Sequence, residues 1–157
     1  MMEFRSIEMR ELFSLRPKEK YIDVAEVCDS GANQLCVVVE EMSLKRLEST
    51  AALGPVSKIT PIVHQAGDMV FKISWERYVI FQVLNESFDS GNGPTEVWEG
   101  HLFRKYSESR YLNYVRAAYE KIGALAESHQ HWAIIGLNRH VHVISVAGPT
   151  VKIRHSN

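Results

Sequence analysis

The stretch MVFKISWERYVIFQVLNESF, residues 69–88, decides the fold class. Apolar and polar residues alternate over Met69–Trp75, with Phe71 and Ile73 on the apolar side. A period of two is typical of a half-buried β-strand. The following residues, 77–88, are partly apolar on both faces, which predicts a strand at the centre of a sheet. The middle of the chain is therefore expected to form antiparallel sheet.

Patterns on either side of this stretch predict further strands and two short helices near the N-terminus. Apolar or β-branched runs bounded by Gly, Pro, Asn or Asp are typical of strands. Loose helical spacing over 4–15, and Ser43 as a capping residue before 43–52, indicate the two helices. The remaining strands are expected over 21–27, 35–39, 59–64, 96–106, 131–137, 141–146 and 151–154.

A longer helix is expected over 109–127, with Ser107 or Ser109 as its cap. Its apolar residues recur every three or four positions: Tyr111, Val115, Ala118, Ile122 and Leu125. The predicted fold class is therefore α+β: a single domain over 1–157, mostly antiparallel β-sheet, with this long amphipathic helix packed on one face and short N-terminal helices. Residues 1–55 are a candidate lobe or arm of that domain.

Charge is balanced overall but unevenly distributed. The 157 residues carry 18 Lys and Arg against 19 Asp and Glu, a net charge of −1 with neutral histidines. That balance excludes a strongly basic nucleic-acid-binding protein. Residues 76–99 hold five acidic residues against one arginine, whereas residues 100–157 hold eight basic residues against three acidic ones. The acidic segment would therefore favour association with a basic partner.

The two cysteines, Cys28 and Cys36, match neither a Cys-x-x-Cys redox motif nor a zinc knuckle. We interpret them as half-buried packing residues, and two thiols suit a reducing cytoplasm better than an oxidising compartment. The N-terminal residues lack the apolar core of a signal peptide, and no apolar segment is long enough to span a bilayer. A cytoplasmic protein without membrane association is expected.

Four of the seven histidines form two pairs with one residue between them: His129 with His131, and His140 with His142. On a strand, both rings of such a pair point the same way about 7 Å apart, which suits a metal ion. Neither pair has the further ligands of known hydrolase, deaminase or cupin sites. We therefore expect no metal and no cofactor. Val141 and Val143 are expected to face the core, which leaves His140 and His142 at the solvent face as the candidate ligands should a metal ion bind.

The sequence contains no motif of nucleophilic catalysis or phosphate binding. A Gly-x-Ser-x-Gly elbow is absent, and the glycines at 91 and 93 are not followed by Lys-Ser or Lys-Thr. Four glutamates near predicted strands could pair as general acid and base, although exposed carboxylates more often only solvate a sheet: Glu76, Glu86, Glu96 and Glu99. Catalytic residues are unknown, and the sequence favours a protein that is not an enzyme.

The acidic segment also carries the aromatic residues that dominate protein interfaces. Tryptophan and tyrosine bury a large area at little entropic cost. The partner-binding residues expected from this pattern are Trp75, Glu76, Tyr78, Glu96, Trp98 and Glu99. If both tryptophans instead belong to the core, the charges merely solvate the sheet.

A basic, aromatic segment combines two residue types that can together bind single-stranded nucleic acid: Arg104, Lys105, Arg110 and Arg116 with Tyr106, Tyr111 and Tyr114. The expected place of Tyr111 is the apolar stripe of the helix, and the chain lacks an RNP-type signature. A nucleic-acid partner is therefore not expected.

These observations predict a small, soluble, non-enzymatic binding protein whose partner is another protein or a second copy of itself. An immunity- or antitoxin-like protein, which blocks a toxin with an acidic, tryptophan-bearing sheet face, is one specific form. The alternative is an enzyme, or a small-ligand or metal-binding protein, with a His- or carboxylate-lined pocket. Convergence of His140 and His142 with the other pair in one concave pocket would favour the alternative.

Overall fold

The computed structural model describes residues 3–15, 20–44, 61–88, 95–119 and 128–157. Strands dominate this part of the chain, together with two α-helices and one 3-10 turn, η1 (Glu86–Phe88). The helices are α1 (Met9–Phe13) and α2 (Arg110–Tyr119). The strands are β1 (Arg5–Ile7), β2 (Tyr21–Gly31), β3 (Gln34–Leu44), β4 (Ile62–Val63), β5 (Met69–Trp75), β6 (Tyr78–Asn85), β7 (Val97–Gly100), β8 (Phe103–Glu108), β9 (Gln130–Ile135), β10 (Arg139–Ser145) and β11 (Thr150–His155).

The described strands form two sheets, and every strand pair in them is antiparallel. The first sheet has the order β1-β11-β5-β3-β2, with β4 also paired to β3. The second sheet has the order β6-β10-β9-β8-β7. The antiparallel, strand-rich class predicted from the sequence is confirmed.

The two sheets pack face to face around one apolar cluster, which makes the fold a β-sandwich. The first sheet contributes Phe71 and Ile73, on the side of β5 that the alternation predicted. The second sheet contributes Val141 and Val143 from β10. Leu12 of α1 belongs to the same cluster, so the short N-terminal helix is held by the sandwich core.

Helix α2 covers the outer face of the second sheet. Leu112 and Val115 are buried against Ile144 of β10, and Ile80 of β6 packs at the margin of this smaller cluster. The expected burial of Val115 is confirmed, whereas Ala118 is exposed. The resulting layers are sheet, sheet and helix.

The predicted arrangement of strands in sheets is wrong. The sequence predicts one sheet carrying both β5 and β6, but residues 76–77 take the chain from the first sheet into the second. Among the described strands, β6 is at an edge of the second sheet, not at the centre. It is apolar on both faces because Phe81 packs on the sandwich core while Ile80 lies against the helix layer.

The predicted long helix is observed in part. Helix α2 covers ten of the described residues, Arg110–Tyr119. The predicted continuation over 120–127, with Ile122 and Leu125, lies outside the described residues.

Three local predictions differ from the structure. The predicted helix over 4–15 is strand β1 followed by the shorter α1. Ser43 is not a helix cap; it is the second-last residue of β3 and pairs with Val63. The rest of that predicted helix, residues 45–52, lies outside the described residues. The single strand predicted over 96–106 is the hairpin of β7 and β8.

Gly100 makes that hairpin possible. Its φ is +89°, a region that L side chains rarely adopt. A Cβ added there would lie 2.0 Å from the carbonyl oxygen of Phe103, so backbone occupies the space of any side chain. The reversal therefore requires glycine on both conformational and steric grounds.

The turn between β9 and β10 ties the second sheet to the edge of the first. Asn138 accepts a hydrogen bond from the backbone N–H of Val24 and donates one to its carbonyl oxygen, both at 3.2 Å. Arg139 donates to the same carbonyl oxygen from Nη2 at 2.8 Å and from Nε at 3.1 Å. These bonds satisfy β2 where a bulge between Val24 and Glu26 interrupts its pairing with β3.

Candidate functional site

A chain of three hydrogen-bonded side chains lies between α2 and the second sheet. His131 of β9 places Nδ1 2.7 Å from the Ser109 hydroxyl and Nε2 2.9 Å from Nδ1 of His142 on β10. Ser109 also accepts the N–H of Leu112 at 3.0 Å, so the predicted capping role of Ser109 at the start of α2 is confirmed. The Ser109 hydroxyl thereby joins the start of α2 to His131 and, through it, to His142.

Aromatic rings enclose this chain. The Tyr106 ring stacks on His131 with centroids 4.2 Å apart, and Tyr111 meets His131 edge-on at 5.4 Å. His131 is 1% exposed and Ser109 2%. Burial, followed by repulsion from His142, lowers the pKa of His131 to about 3. His131 is therefore neutral at physiological pH.

A second group of this region with a shifted pKa is the Tyr111 phenol. Its hydroxyl is buried without a hydrogen-bond partner within the described part of the chain. Burial, reinforced by the neighbouring Tyr119 and Tyr114, raises its pKa to about 12. Tyr111 therefore remains a neutral phenol across the physiological range.

The expected solvent-face position of the histidines on β10 is wrong. Val141 and Val143 do face the core, as predicted, but His140 is 8% exposed and His142 is half-buried. The second sheet has a helix on its outer face, so that face is interior as well. His129 is also buried.

The His131–His142 contact joins one member of each predicted pair and not the two members of one pair. Alternation along a strand correctly places His140 and His142 on one face, but it does not show which strands are neighbours. The stacking role of Tyr106 and the bond from Ser109 to a histidine were likewise not predicted. The two-residue spacing of Arg104 and Tyr106 puts both on one face of β8, but it does not indicate which ring Tyr106 stacks on.

The second candidate site is the groove beside Trp98. The Trp98 indole is half-buried. Its ring centroid lies 5.7 Å from that of Tyr106 and 5.0 Å from the guanidinium carbon of Arg104. A surface groove of about 370 Å³ runs along it. We call this the Trp98 groove; it is lined by Val97, Trp98, Glu99, Lys105, Tyr106 and Ser107.

The Trp98 groove is lined by one acidic and one basic side chain, Glu99 and Lys105, which are register partners on β7 and β8. Glu99 is exposed on β7, and Glu108 is exposed opposite Val97. The Nζ of Lys105 lies 5.2 Å from the ring centroid of Trp132. Glu96 accepts a hydrogen bond from the N–H of Arg110 at the start of α2.

The other aromatic residues of the predicted partner-binding set lie elsewhere. Trp75 is 2% exposed and belongs to the sandwich core. Glu76 is exposed in the turn after β5. Tyr78 donates a hydrogen bond of 2.6 Å to Asp29, which raises the pKa of the phenol and lowers that of the carboxyl group.

The predicted set is therefore divided between two places. Tyr78 begins β6 at one edge of the second sheet, and Trp98 lies on β7 at the other. Four strand spacings, about 19 Å, separate these edges. Glu86 follows β6 while Glu99 lies on β7, so these two carboxylates do not face each other as an acid–base pair.

The cysteines depart from the half-buried arrangement expected of both. Cys28 is exposed, Cys36 is intermediate, and both thiols are free. They are direct register partners on β2 and β3, with Val27 opposite Val37 and Asp29 opposite Leu35 on either side. Eight residues apart in sequence, they are neighbours in the sheet.

No helix within the described residues is long and apolar enough to cross a membrane. The same part of the chain brings together no group of three or more His, Cys, Asp and Glu side chains suited to hold a metal ion.

Comparison of the chain with protein families, with curated proteins and with solved structures found no match. The geometry of the histidine chain and of the Trp98 groove is therefore the basis for assigning a function.

Proposed function

We propose that this chain is a small, non-enzymatic binding protein that contacts a protein partner through the Trp98 groove. The observation that carries the proposal is the position of the Trp98 indole. It is half-buried and flanked by Tyr106 and Arg104 at ring-contact distances, so its rotamer is fixed before a partner arrives. A pre-ordered, partly exposed tryptophan is the residue type most enriched at binding hot spots.

The backbone beside Trp98 supports the same proposal. Among the described strands, β7 pairs with β8 on one side and ends the second sheet on the other. A strand at a sheet edge offers N–H and C=O groups to an extended partner segment. The exposed Val97 and Glu99 flank the indole along this edge. A partner with a basic extended segment fits this combination of hydrogen-bonding edge, apolar side chain and carboxylate.

The immunity- or antitoxin-like form of the proposal adds that the partner is a basic toxin whose activity falls when it is bound. A second copy of this chain is the other protein partner expected from the sequence. Sedimentation of the wild type and of Trp98→Ala separates these forms, because self-association through the Trp98 groove would be weakened by that substitution.

The proposal is tested by photo-crosslinking in the native host. A photoreactive amino acid replaces Val97 in the groove or, as a matched control, Leu137 in the turn between β9 and β10; both positions are exposed. We expect a discrete protein adduct from position 97, its loss on adding Trp98→Ala, and no such adduct from position 137. Equal adducts from both positions, or an adduct from position 97 that persists when Trp98→Ala is added, would contradict the proposal.

The captured partner then permits a direct affinity measurement. Trp98→Ala should weaken binding by about 2 kcal/mol or more, a loss of roughly thirtyfold. Glu99→Lys should mainly slow association, in the same direction as added salt. Tyr114→Ala, which removes an exposed aromatic side chain of α2, is the control that should bind normally. If Trp98→Ala lowers only the free energy of unfolding, Trp98 is a packing residue.

One observation favours the alternative of an enzyme: the hydrogen-bonded series from Ser109 through His131 to His142. A hydroxyl beside a neutral imidazole is the arrangement of an activated nucleophile. Burial argues against it, because a substrate must reach a serine that is 2% exposed beneath α2. A serine-reactive fluorophosphonate probe distinguishes the two functions. We expect no labelling, whereas labelling of Ser109 that is lost in His131→Gln would favour the enzyme.

A further inference from the structure

We infer that Cys28 and Cys36 form a dithiol redox site, which low-molecular-weight disulfides oxidise to a cross-strand disulfide. The inference does not depend on the proposed binding function. It rests on the register of β2 and β3, in which these residues face each other directly.

The register places both α-carbons within reach of a disulfide bond. Directly opposed residues in an antiparallel pair have α-carbons about 4.5 or 5.5 Å apart, depending on the type of pair. Disulfides span α-carbon separations of roughly 4.4–6.8 Å. As direct register partners, the two side chains also leave the sheet on the same face.

Solvent reaches the pair from the outer face of the first sheet. This face carries a groove of about 640 Å³, and both cysteines line it together with side chains such as Lys72 and Ser74. Cys28 is exposed and Cys36 is intermediate. This difference in exposure assigns their roles: Cys28 attacks the incoming disulfide, and Cys36 resolves the mixed disulfide that forms on Cys28.

The chemistry is two successive thiol–disulfide exchanges. The Cys28 thiolate attacks one sulfur of the small disulfide RSSR, forming a mixed disulfide and releasing one thiolate, which takes up a proton as RSH. The Cys36 thiolate then attacks the Cys28 sulfur, closing the Cys28–Cys36 bond and releasing the second RSH. Two electrons and two protons pass from the cysteine pair to RSSR. A reducing thiol pool reverses both steps.

The test uses the full chain, oxidised glutathione as RSSR, and intact-mass spectrometry under native conditions. We expect the wild type to lose the mass of two hydrogen atoms without accumulating a glutathione adduct. Cys36→Ser should instead accumulate an adduct on Cys28 that dithiothreitol removes. Cys28→Ser should form its adduct on Cys36 more slowly, because Cys36 is less exposed.

A displaced thiol supplies the matched control. In Cys36→Ser/Val38→Cys the second thiol stays on β3 and on the same face but moves diagonally, to about 7–8 Å from Cys28. That distance exceeds the reach of a disulfide, so this variant should accumulate the adduct. In concentrated urea both sequences should close at similar rates, since the loops differ by only two residues.

Two results would overturn the inference. One is a wild type that accumulates stable glutathione adducts or disulfide-linked dimers in place of the internal bond. The other is a displaced-thiol variant that closes its disulfide as fast as the wild type under native conditions. Either result would mean that the native register does not bring the two sulfurs together.

Discussion

His131 and His142, on neighbouring strands, share a hydrogen bond of 2.9 Å between Nε2 and Nδ1 beneath helix α2. The two nitrogens share one proton, so one ring donates and the other accepts. Ser109 completes the pattern by contacting the other nitrogen of His131 while capping the helix. The network satisfies buried polar groups that would otherwise destabilise the helix–sheet interface.

Acid should destabilise the fold through His131. Burial lowers its pKa from 6.5 to about 3, so between these values the unfolded chain binds a proton that the folded chain does not. The free energy of unfolding is therefore unaffected by this group above pH 6.5 and falls as the pH decreases below it. The contribution is roughly 2 kcal/mol between pH 7 and pH 5. Urea denaturation at the two pH values measures it.

Two histidine variants test whether His131 causes this pH effect, His131→Gln as the test and His101→Gln as the control. His131→Gln should lose about 2 kcal/mol less than the wild type over the same pH interval. His101→Gln, at an exposed position, should lose as much as the wild type. Parallel pH profiles for His131→Gln and the wild type would show that His131 is not held neutral.

Ser109→Ala should lower the free energy of unfolding by roughly 1–3 kcal/mol. The substitution removes the cap of α2 and leaves Nδ1 of His131 without its hydroxyl partner in a buried place. Ser107→Ala, two residues earlier and exposed, should cost much less. Chemical denaturation of both variants checks the difference, and equal losses would contradict the capping role.

Leu112→Ala should cost about 2–5 kcal/mol, because Leu112 is buried against Ile144 between helix and sheet. Tyr114→Ala, on the exposed side of the same helix, should change stability by less than about 1 kcal/mol. Thermal or urea unfolding compares the two. Similar small losses in both would mean that α2 does not pack on the second sheet.

Gly100→Ala should be much more costly than Gly67→Ala. Both glycines have a φ of +89°, so both substitutions incur backbone strain of roughly 1–2 kcal/mol. At Gly67 the space for a Cβ is open, whereas at Gly100 the Cβ would meet the Phe103 carbonyl oxygen. The difference between the two free energies of unfolding isolates this clash. Equal losses would indicate that the β7–β8 reversal does not require Gly100.

Periodicity predicted individual strands more successfully than it predicted their neighbours. The alternation in β5 correctly placed Phe71 and Ile73 in the core, since a sandwich strand has one buried face. The same rule misplaced β6, whose two apolar faces lie between the core and the helix layer. A central strand and a strand between two layers have the same pattern, and only the packing distinguishes them.

The amino-acid sequence by itself determined the antiparallel, strand-rich class, the inward faces of β5 and β10, and a serine cap, Ser107 or Ser109, at the start of α2. These features depend on local geometry, which a period of two or a capping hydroxyl reveals within a few residues. The tertiary structure alone decided that His131 meets His142, that Cys28 faces Cys36, and that Trp98 and Trp75 occupy separate environments. These relationships depend on strand order, register and the layer above each sheet, all of which are set by contacts between residues distant in the chain.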